Sequence, residues 1–371
     1  MRALIAAPFY PPHPGGIERY SAAVAAELRR RGWDVDVVHS VAADDPEPVR
    51  EGPAGERLLG LRSRIAASRL PIPVPGRSTR EILRRVRGTR YDFALVQSHL
   101  FVSNLLVARA LGRAGRTRAV WLNHGSGHIP AGSPAMSRAV TAYEHVLARG
   151  LRAMLPITAG VSEEAAAWLG HFSVRASASV GNAVSEVRTP RDGRREGPLR
   201  VLYVGRLEPG KGPLEAIRLV DGLPPDAQVE LTLCGDGTLA AEVEKAAGLA
   251  GRGVVTTGAV PHAQVQAHLT DADVFLYPST YPEGFPTVLL EAGAAGCSVL
   301  TYPVGGAREL LDTGGGWCVT GEQEAAARLE ALARQPVEAT VAGEALRQTV
   351  RSRYTWQPVV DRLLALGGVN A

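Results

Sequence analysis

Lysine is almost missing from this chain. Of 41 basic residues only Lys211 and Lys245 are lysines, and the rest are arginines. An Arg- and Ala-rich composition reflects a GC-rich coding bias, so a lysine kept against that bias draws attention. Cysteine is scarce too. Cys234, Cys297 and Cys318 lie far apart with no C-x-x-C, which argues against a disulfide framework or a thiolate zinc site and fits a reducing cytoplasm. No charge of one sign dominates: 41 basic against 37 acidic residues leave +4, too little to argue for nucleic acid. No apolar run reaches the roughly 20 residues of a membrane span. The opening "MRALIAAPFY" meets "PPHPGG" too soon for a signal h-region. Neither G-x-G-x-x-G nor a Gly-Lys-Ser/Thr phosphate loop occurs at the expected places.

What is present suits two packed domains: 371 residues, 45% hydrophobic and 21% charged. "ALIAAPF" is a short apolar strand, "YPPHPGG" a loop, and "IERYSAAVAAELRRRG" a helix with Ile17, Tyr20, Val24 and Leu28 on one face, stopping at Gly32. "WDVDVVHS" then reads as a second strand, completing a βαβ unit and implying a parallel sheet. The same alternation restarts with "LRVLYVGRL", "VELTLCGDG", "GVVTTGAV", "DVFLYPS" and "SVLTYPV", separated by helical stretches. Between the two series, the polar stretch Arg188–Pro198, "RTPRDGRREGP", reads as a linker. The expected fold is α/β: two Rossmann-like, doubly wound parallel-sheet domains facing a cleft, with ligands at the strand C-terminal ends. The expected domains are 1–188 and 189–351. A C-terminal helix over 352–371 starts at Ser352 or Thr355 and presents Val359, Leu363 and Leu366 on one face.

Four stretches carry candidate chemistry. Gly15 and Gly16 precede the first helix, where backbone N–H groups and the helix dipole attract anions; alone, the pair reads more readily as a plain turn. In "VGRLEPGKGPLEAI" a strand ends at Gly205, and Arg206 and Lys211 occupy the loop beyond it. A planar fork and a compact cation suit a diphosphate; a solvated basic loop is the competing reading. Gly235, in "LCGDGTL", sits at the same kind of strand end. Finally, "PEGFPTVLLEAGAAG" places two carboxylates, Glu283 and Glu291, in an otherwise apolar window. Pro286 suits the first turn of a helix. Glu283 then falls just before the helix start and Glu291 about one and a half turns inside, beside backbone donors able to bind hydroxyls.

These pieces, in this order and together with "VGGARELL", resemble the retaining glycosyltransferases of family 4, which have the GT-B fold. The resemblance covers almost the whole chain. It implies a nucleotide-sugar donor held mainly by the C-terminal half and a hydroxyl acceptor held mainly by the N-terminal half. It implies that Arg206 and Lys211 hold the donor diphosphate and that Gly16 lies near it. Glu291 takes the ribose hydroxyls. Glu283 faces the donor sugar, helped by the backbone of Gly284, Phe285, Pro286 and Thr287. Val260, in "TGAVPHAQV", contacts the base through its backbone, and His124, in "NHGSGH", points at the sugar, with His128 close by as a competitor. It further implies that the C-terminal helix crosses back to the N-domain and that the domains close over the donor. No metal and no further cofactor are expected. The reaction implied is transfer of a hexose-type sugar with retention, by front-face attack, from a UDP-sugar in preference to a GDP-sugar. The acceptor is a glycan, a lipid-linked sugar or a natural product. The alternatives are an epimerase or phosphorylase of the same fold, or a non-catalytic sugar-binding relative.

One stretch stands apart. From Arg57 to Arg90 there are ten arginines and a single acidic residue, Glu81. Two readings stay open: a solvated Arg-rich face produced by coding bias, and a peripheral contact with anionic lipid at the inner face of the membrane.

Overall fold

The computed structural model describes residues 1–65, 70–112, 117–128, 133–155, 157–189 and 196–369. Residues 190–195 of the Arg188–Pro198 stretch and Arg69 of the basic stretch lie outside them. The chain divides into two compact units, Met1–Asn182 with Trp356–Ala371, and Ala183–Thr355.

The first unit carries strands β1 (Arg2–Ala6), β2 (Asp34–Ala42), β3 (Val49–Glu51), β4 (Arg57–Ile65), β5 (Pro71–Pro73), β6 (Phe93–Gln97), β7 (Arg118–Asn123), β8 (Ile157–Gly160) and β9 (Ala178–Ser179). Its helices are α1 (Gly16–Arg30), α2 (Arg77–Gly88), α3 (Val102–Leu111), α4 (Pro134–Arg152) and α5 (Glu163–Trp168). The strands form one sheet in the order β3-β4-β2-β1-β6-β7-β8-β9, with β5 added on β4. β3 and β5 run antiparallel to β4, and the remaining pairs are parallel. β1 is buried from both sides, with Ala3, Leu4 and Ile5 fully enclosed, as a central parallel strand requires. The register sets Ile5 against Val37 on one side and Leu95 on the other.

Helix α1 buries Tyr20, Val24 and Leu28, and Gly32 at φ +79 turns the chain into β2. The basic stretch is mostly ordered secondary structure. Arg57 pairs with Asp36 at 2.8 Å and Arg62 donates to the Asp45 carbonyl, while α2 seats Ile82 and Val86 in the core and leaves its arginines exposed.

The second unit carries β10 (Leu199–Val204), β11 (Val229–Cys234), β12 (Val254–Gly258), β13 (Val274–Tyr277), β14 (Ser298–Thr301) and β15 (Gly316–Cys318). With them come α6 (Pro213–Asp221), α7 (Ala240–Leu249), α8 (His262–Asp271), α9 (Thr287–Ala295), α10 (Ala307–Leu311), α11 (Glu322–Arg334) and α12 (Val337–Arg353). Its six strands run parallel in the order β12-β11-β10-β13-β14-β15. Strand order therefore reverses between β10 and β13, and that switch point is where an open α/β sheet leaves a crevice for ligand.

The last helix, α13 (Trp356–Leu366), belongs to the first unit. Ser352 lies in the final turn of α12, and Thr355 directly precedes α13. The buried stripe is Val359, Val360, Leu363 and Leu364, with Leu366 only half-buried. Trp356 meets Tyr20 of α1 edge to face at 5.1 Å, Arg31 pairs with Asp361 at 2.6 Å, and Arg362 donates to the Val180 carbonyl. Among the described residues no helix is long and apolar enough to cross a membrane.

Candidate active site

The two loops that leave the switch point of the second unit carry the sequence-derived candidates. The loop after β10 holds Arg206 and Lys211; the loop after β13 holds Glu283. Backbone hydrogen bonds clip them together. The N–H groups of Thr280 and Tyr281 both donate to the Gly210 carbonyl, at 2.8 and 3.0 Å. Gly210 and Gly212 sit at φ +82 and +79, and a Cβ on Gly212 would lie 2.2 Å from the Pro278 carbonyl. Glycine is required there by both backbone angle and space.

This clip brings Lys211 onto Glu283. Lys211 Nζ lies 2.8 Å from Glu283 Oε1 and 4.6 Å from the centroid of the Tyr281 ring. The same carboxylate oxygen accepts from the Tyr277 hydroxyl at 2.5 Å, with Ser279 Oγ at 3.4 Å. Burial, and then the charge of Glu283, raise the pKa of Tyr277, so it stays a donor. Tyr203 lies below, its hydroxyl donating to the carbonyls of Arg206 and Lys211. Arg206 is exposed and Lys211 is buried. The two cations thus differ in kind: one is fixed by partners, and the other is free to move.

The neighbouring strand ends are tied to the same loop. Gly235, after β11, has φ +156, and a Cβ on it would lie 1.9 Å from the Gly205 carbonyl. The Leu207 N–H donates to the Asp236 carbonyl, and Thr238 Oγ1 donates to Glu208 at 2.7 Å. The Thr238 hydroxyl and N–H hold the Glu208 carboxyl below its usual pKa. Val260, half-buried, sits between β12 and α8.

Helix α9 begins at Thr287 with Pro286 as its cap residue, one residue later than the earliest start expected. Glu283 precedes the helix and Glu291 is its fifth residue. Gly284, Phe285 and Pro286 are buried, whereas Thr287 and Glu291 are half-buried. Glu291 receives Gln266 Nε2 at 3.4 Å. The Gly305–Gly306 pair of "VGGARELL" supports this segment from behind. A Cβ on Gly305 would meet the Glu283 and Gly284 carbonyls at 2.2 and 2.3 Å, and one on Gly306 would strike the Phe285 ring. The small residues after Glu291 have a packing purpose too: Gly293 faces Leu346 of α12, and Gly343 of α12 faces the Gly296 carbonyl.

In the first unit, His124 ends β7. Its Nε2 lies 2.5 Å from Gln97 Oε1, and its ring meets Tyr20 edge on at 5.0 Å. Burial pushes its pKa down to about 3, so the imidazole is neutral at neutral pH. His128 is engaged differently, by Glu144 and by His171 at 3.0 Å. Gly15 and Gly16 open α1, but a Cβ on Gly15 would lie 1.9 Å from the Glu18 carboxylate. The chain's own buried carboxyl, its pKa raised by burial, thus folds over this helix start.

The sequence does hold two D-x-D triplets, Asp34–Asp36 and Asp271–Asp273. Asp36 is spent on Arg57 and Tyr91, and Asp273 accepts from the Arg200 N–H. Among the described residues no group of three or more His, Cys, Asp or Glu could hold a metal ion. Sequence reasoning missed Tyr277, Ser279 and Tyr281, which hold the Lys211–Glu283 pair, and Gln266, which reaches Glu291. The signal was available in "YPSTYPEG", where hydroxyl-bearing side chains crowd the approach to Glu283.

Comparison with known proteins assigns both halves of the chain. Residues 186–349 match the model described as glycosyl transferases group 1. Residues 14–180 match that described as glycosyltransferase family 4. Glycogen synthase of Mycobacterium tuberculosis is 32% identical over 237 residues, covering 61% of this chain. The match spans about half, 56%, of that relative's length. Among solved structures, Anabaena HepE in complex with UDP aligns with a TM-score of 0.71 at 18% identity, covering 98% of this chain and 99% of the other. Sucrose-phosphate synthase from Thermosynechococcus elongatus aligns with a TM-score of 0.69 at 18% identity, covering 98% of each chain. At such identities these two likenesses speak to fold. With a family model on each half and a doubly wound sheet in each unit, the chain belongs to the group 1 glycosyltransferases and has the GT-B fold.

Proposed function

We propose that this protein is a retaining glycosyltransferase that moves a hexose from a UDP-sugar to a hydroxyl acceptor by front-face attack, without a metal. The observation that carries the reading is the Lys211–Glu283 pair at the switch point of the second unit. A cation suited to a diphosphate and a carboxylate suited to sugar hydroxyls are held there together. HepE has been crystallised with UDP and with UDP-glucose, which supports a uridine donor here.

In this reading Arg206 and Lys211 bind the diphosphate, and Gly16 and Gly235 let backbone approach it. Glu291 holds the ribose and Val260 the base. Glu283 and the backbone from Gly284 to Thr287 hold the donor sugar, and His124 contributes a neutral hydrogen-bonding imidazole. The bond from the anomeric carbon to the phosphate oxygen breaks, and its electron pair stays with the phosphate. The acceptor oxygen bonds to that carbon on the same face and its proton passes to the leaving phosphate. The two cations stabilise charge as it develops there. Glu283 as covalent nucleophile is disfavoured, because its Oε1 is already engaged by an ammonium and a phenol hydroxyl. Lys245, exposed on α7, offers a phosphorylase no cofactor lysine. The exposed arginines of α2 supply the cationic face that a peripheral contact with anionic lipid requires.

Proton NMR of the product tests the reading. A donor panel should yield an α-linked product from an α-linked UDP-hexose. A β-linked product refutes retention, and a sugar trapped covalently on Glu283, seen by mass spectrometry with a 2-fluoro donor, refutes front-face attack.

A further inference from the structure

A cavity of about 410 Å³ opens in the first unit over the C-terminal ends of β1, β2 and β4. The volume is in the range of small-molecule sites, and the position is the strand-end crevice of a doubly wound sheet. Phe9 and His13 line one wall, stacked with ring centroids 4.0 Å apart and planes 8° from parallel. Tyr10 beside them is 3% exposed and fixed through its hydroxyl, which donates at 2.7 Å to the fully buried Glu56. The wall is rigid before any ligand arrives.

His39, at the end of β2, also lines the cavity and is 4% exposed. Its Nδ1 lies 3.2 Å from the Ser40 carbonyl. A carbonyl only accepts, so Nδ1 carries the ring proton and Nε2 is left as an acceptor. Burial keeps the ring neutral. Among the described residues, Nε2 has no hydrogen-bond partner, and neither has Ser40 Oγ next to it. A buried acceptor without a donor is costly, and a ligand O–H would satisfy it. At the rim Asp45 and Arg50 face each other at 3.7 Å, too far for a good hydrogen bond. They present one acceptor and a fork of donors with no net charge.

We propose that this cavity is the acceptor subsite and that it takes a neutral, polyhydroxylated six-membered ring, either a cyclitol or the terminal pyranose of a glycan. The apolar face of such a ring lies on the Phe9–His13 wall. One hydroxyl donates to His39 Nε2, and others, being donor and acceptor at once, satisfy Asp45 and Arg50. The word acceptor rests on the transfer reading; the chemistry rests on the cavity.

Saturation-transfer NMR on the full chain tests the idea, with myo-inositol and methyl α-D-glucopyranoside as probes. Binding of either supports the proposal, and the tighter probe names the source of the ring. Ala42→Trp fills the mouth from an exposed position. His39→Phe keeps the ring volume and removes the acceptor. Each should weaken the bound probe by about tenfold or more. If Ala42→Trp loses its melting transition, His39→Phe alone decides. Failure of both probes to bind, or wild-type affinity in folded variants, overturns the subsite. UDP titration of the same wild-type sample reads the second unit separately. Absence of UDP binding there removes the donor reading without touching the NMR result.

Discussion

Replacing Lys211 with Met, Glu283 with Gln, and then both together separates the structural from the chemical task of this pair. At 2.8 Å and an effective dielectric constant of about 20, the two charges attract by about 6 kcal/mol before desolvation is subtracted. The side chains are 9% and 18% exposed, so solvent screens them little. Removing one member of a buried pair costs about 3–5 kcal/mol, whereas replacing both with neutral groups is often close to neutral. Glu283 keeps Tyr277 and Ser279 when Lys211 is lost, so the low end, about 3 kcal/mol, applies to Lys211→Met. Glu283→Gln leaves the ammonium over the Tyr281 ring and should cost about as much. The double variant should recover most of that loss, giving a coupling energy of about 3 kcal/mol in the cycle. Urea midpoints followed by circular dichroism measure it. Donor turnover should behave differently, falling by about 10²–10³ in every variant and staying low in the double one. A coupling below about 0.5 kcal/mol would show that the pair is not a structural unit. A double variant that turns over donor at the wild-type rate would show that it is not a chemical one.

Three further outcomes are expected. His39 and His99 are buried, and burial, the larger cause, pushes each pKa down to about 4. The unfolded chain takes up these protons below about pH 6.5 and the folded chain does not, so stability falls as pH drops from about 6.5 to 4. At pH 5 each group should cost about 2 kcal/mol, and an unchanged urea midpoint between pH 7 and pH 5 would refute this. Gly235→Ala forces a Cβ against the Gly205 carbonyl at φ +156 and should lose about 1–3 kcal/mol together with UDP affinity; calorimetric titration measures the second effect, and unaltered affinity counts against a role for that turn. The full chain should co-sediment with anionic vesicles at low salt and be released as salt rises. Failure to bind at low salt removes the membrane contact.

The second unit was more legible than the first. Its central strands are buried on both faces, so "VLYV" and "VFLY" stand out as apolar runs between glycine turns, and its chemistry lies on the loops directly beyond them. β4 was hidden because "RLLGLRSRI" mixes arginines with leucines near the edge of a sheet, so its charges drew attention before its pattern did. β3 and β5 have three residues each, and β5 is bounded by prolines, which an edge strand tolerates. α12 escaped because Val337 and Val341 face solvent, blurring the stripe of Ala339, Ala342, Leu346 and Val350 that packs inward. The glutamate bracket was readable as a motif, but not the partners of Glu283. Tyr277 and Lys211 reach it through backbone clips between two loops, and nothing local in sequence encodes those.

The docking of α13 on α1 bears on how the protein is made. Trp356 and Arg362 complete the enclosure of Tyr20 and the anchoring of the Val180 backbone, yet the ribosome reaches them only after the whole of the second unit. The usual order of synthesis, in which an N-terminal domain finishes first, is therefore reversed here. Residues 183–355 are contiguous and can close their core during translation, while the unit that emerged earlier waits with an apolar seam uncovered. Chaperones meeting the nascent chain would find their binding surface on its oldest part.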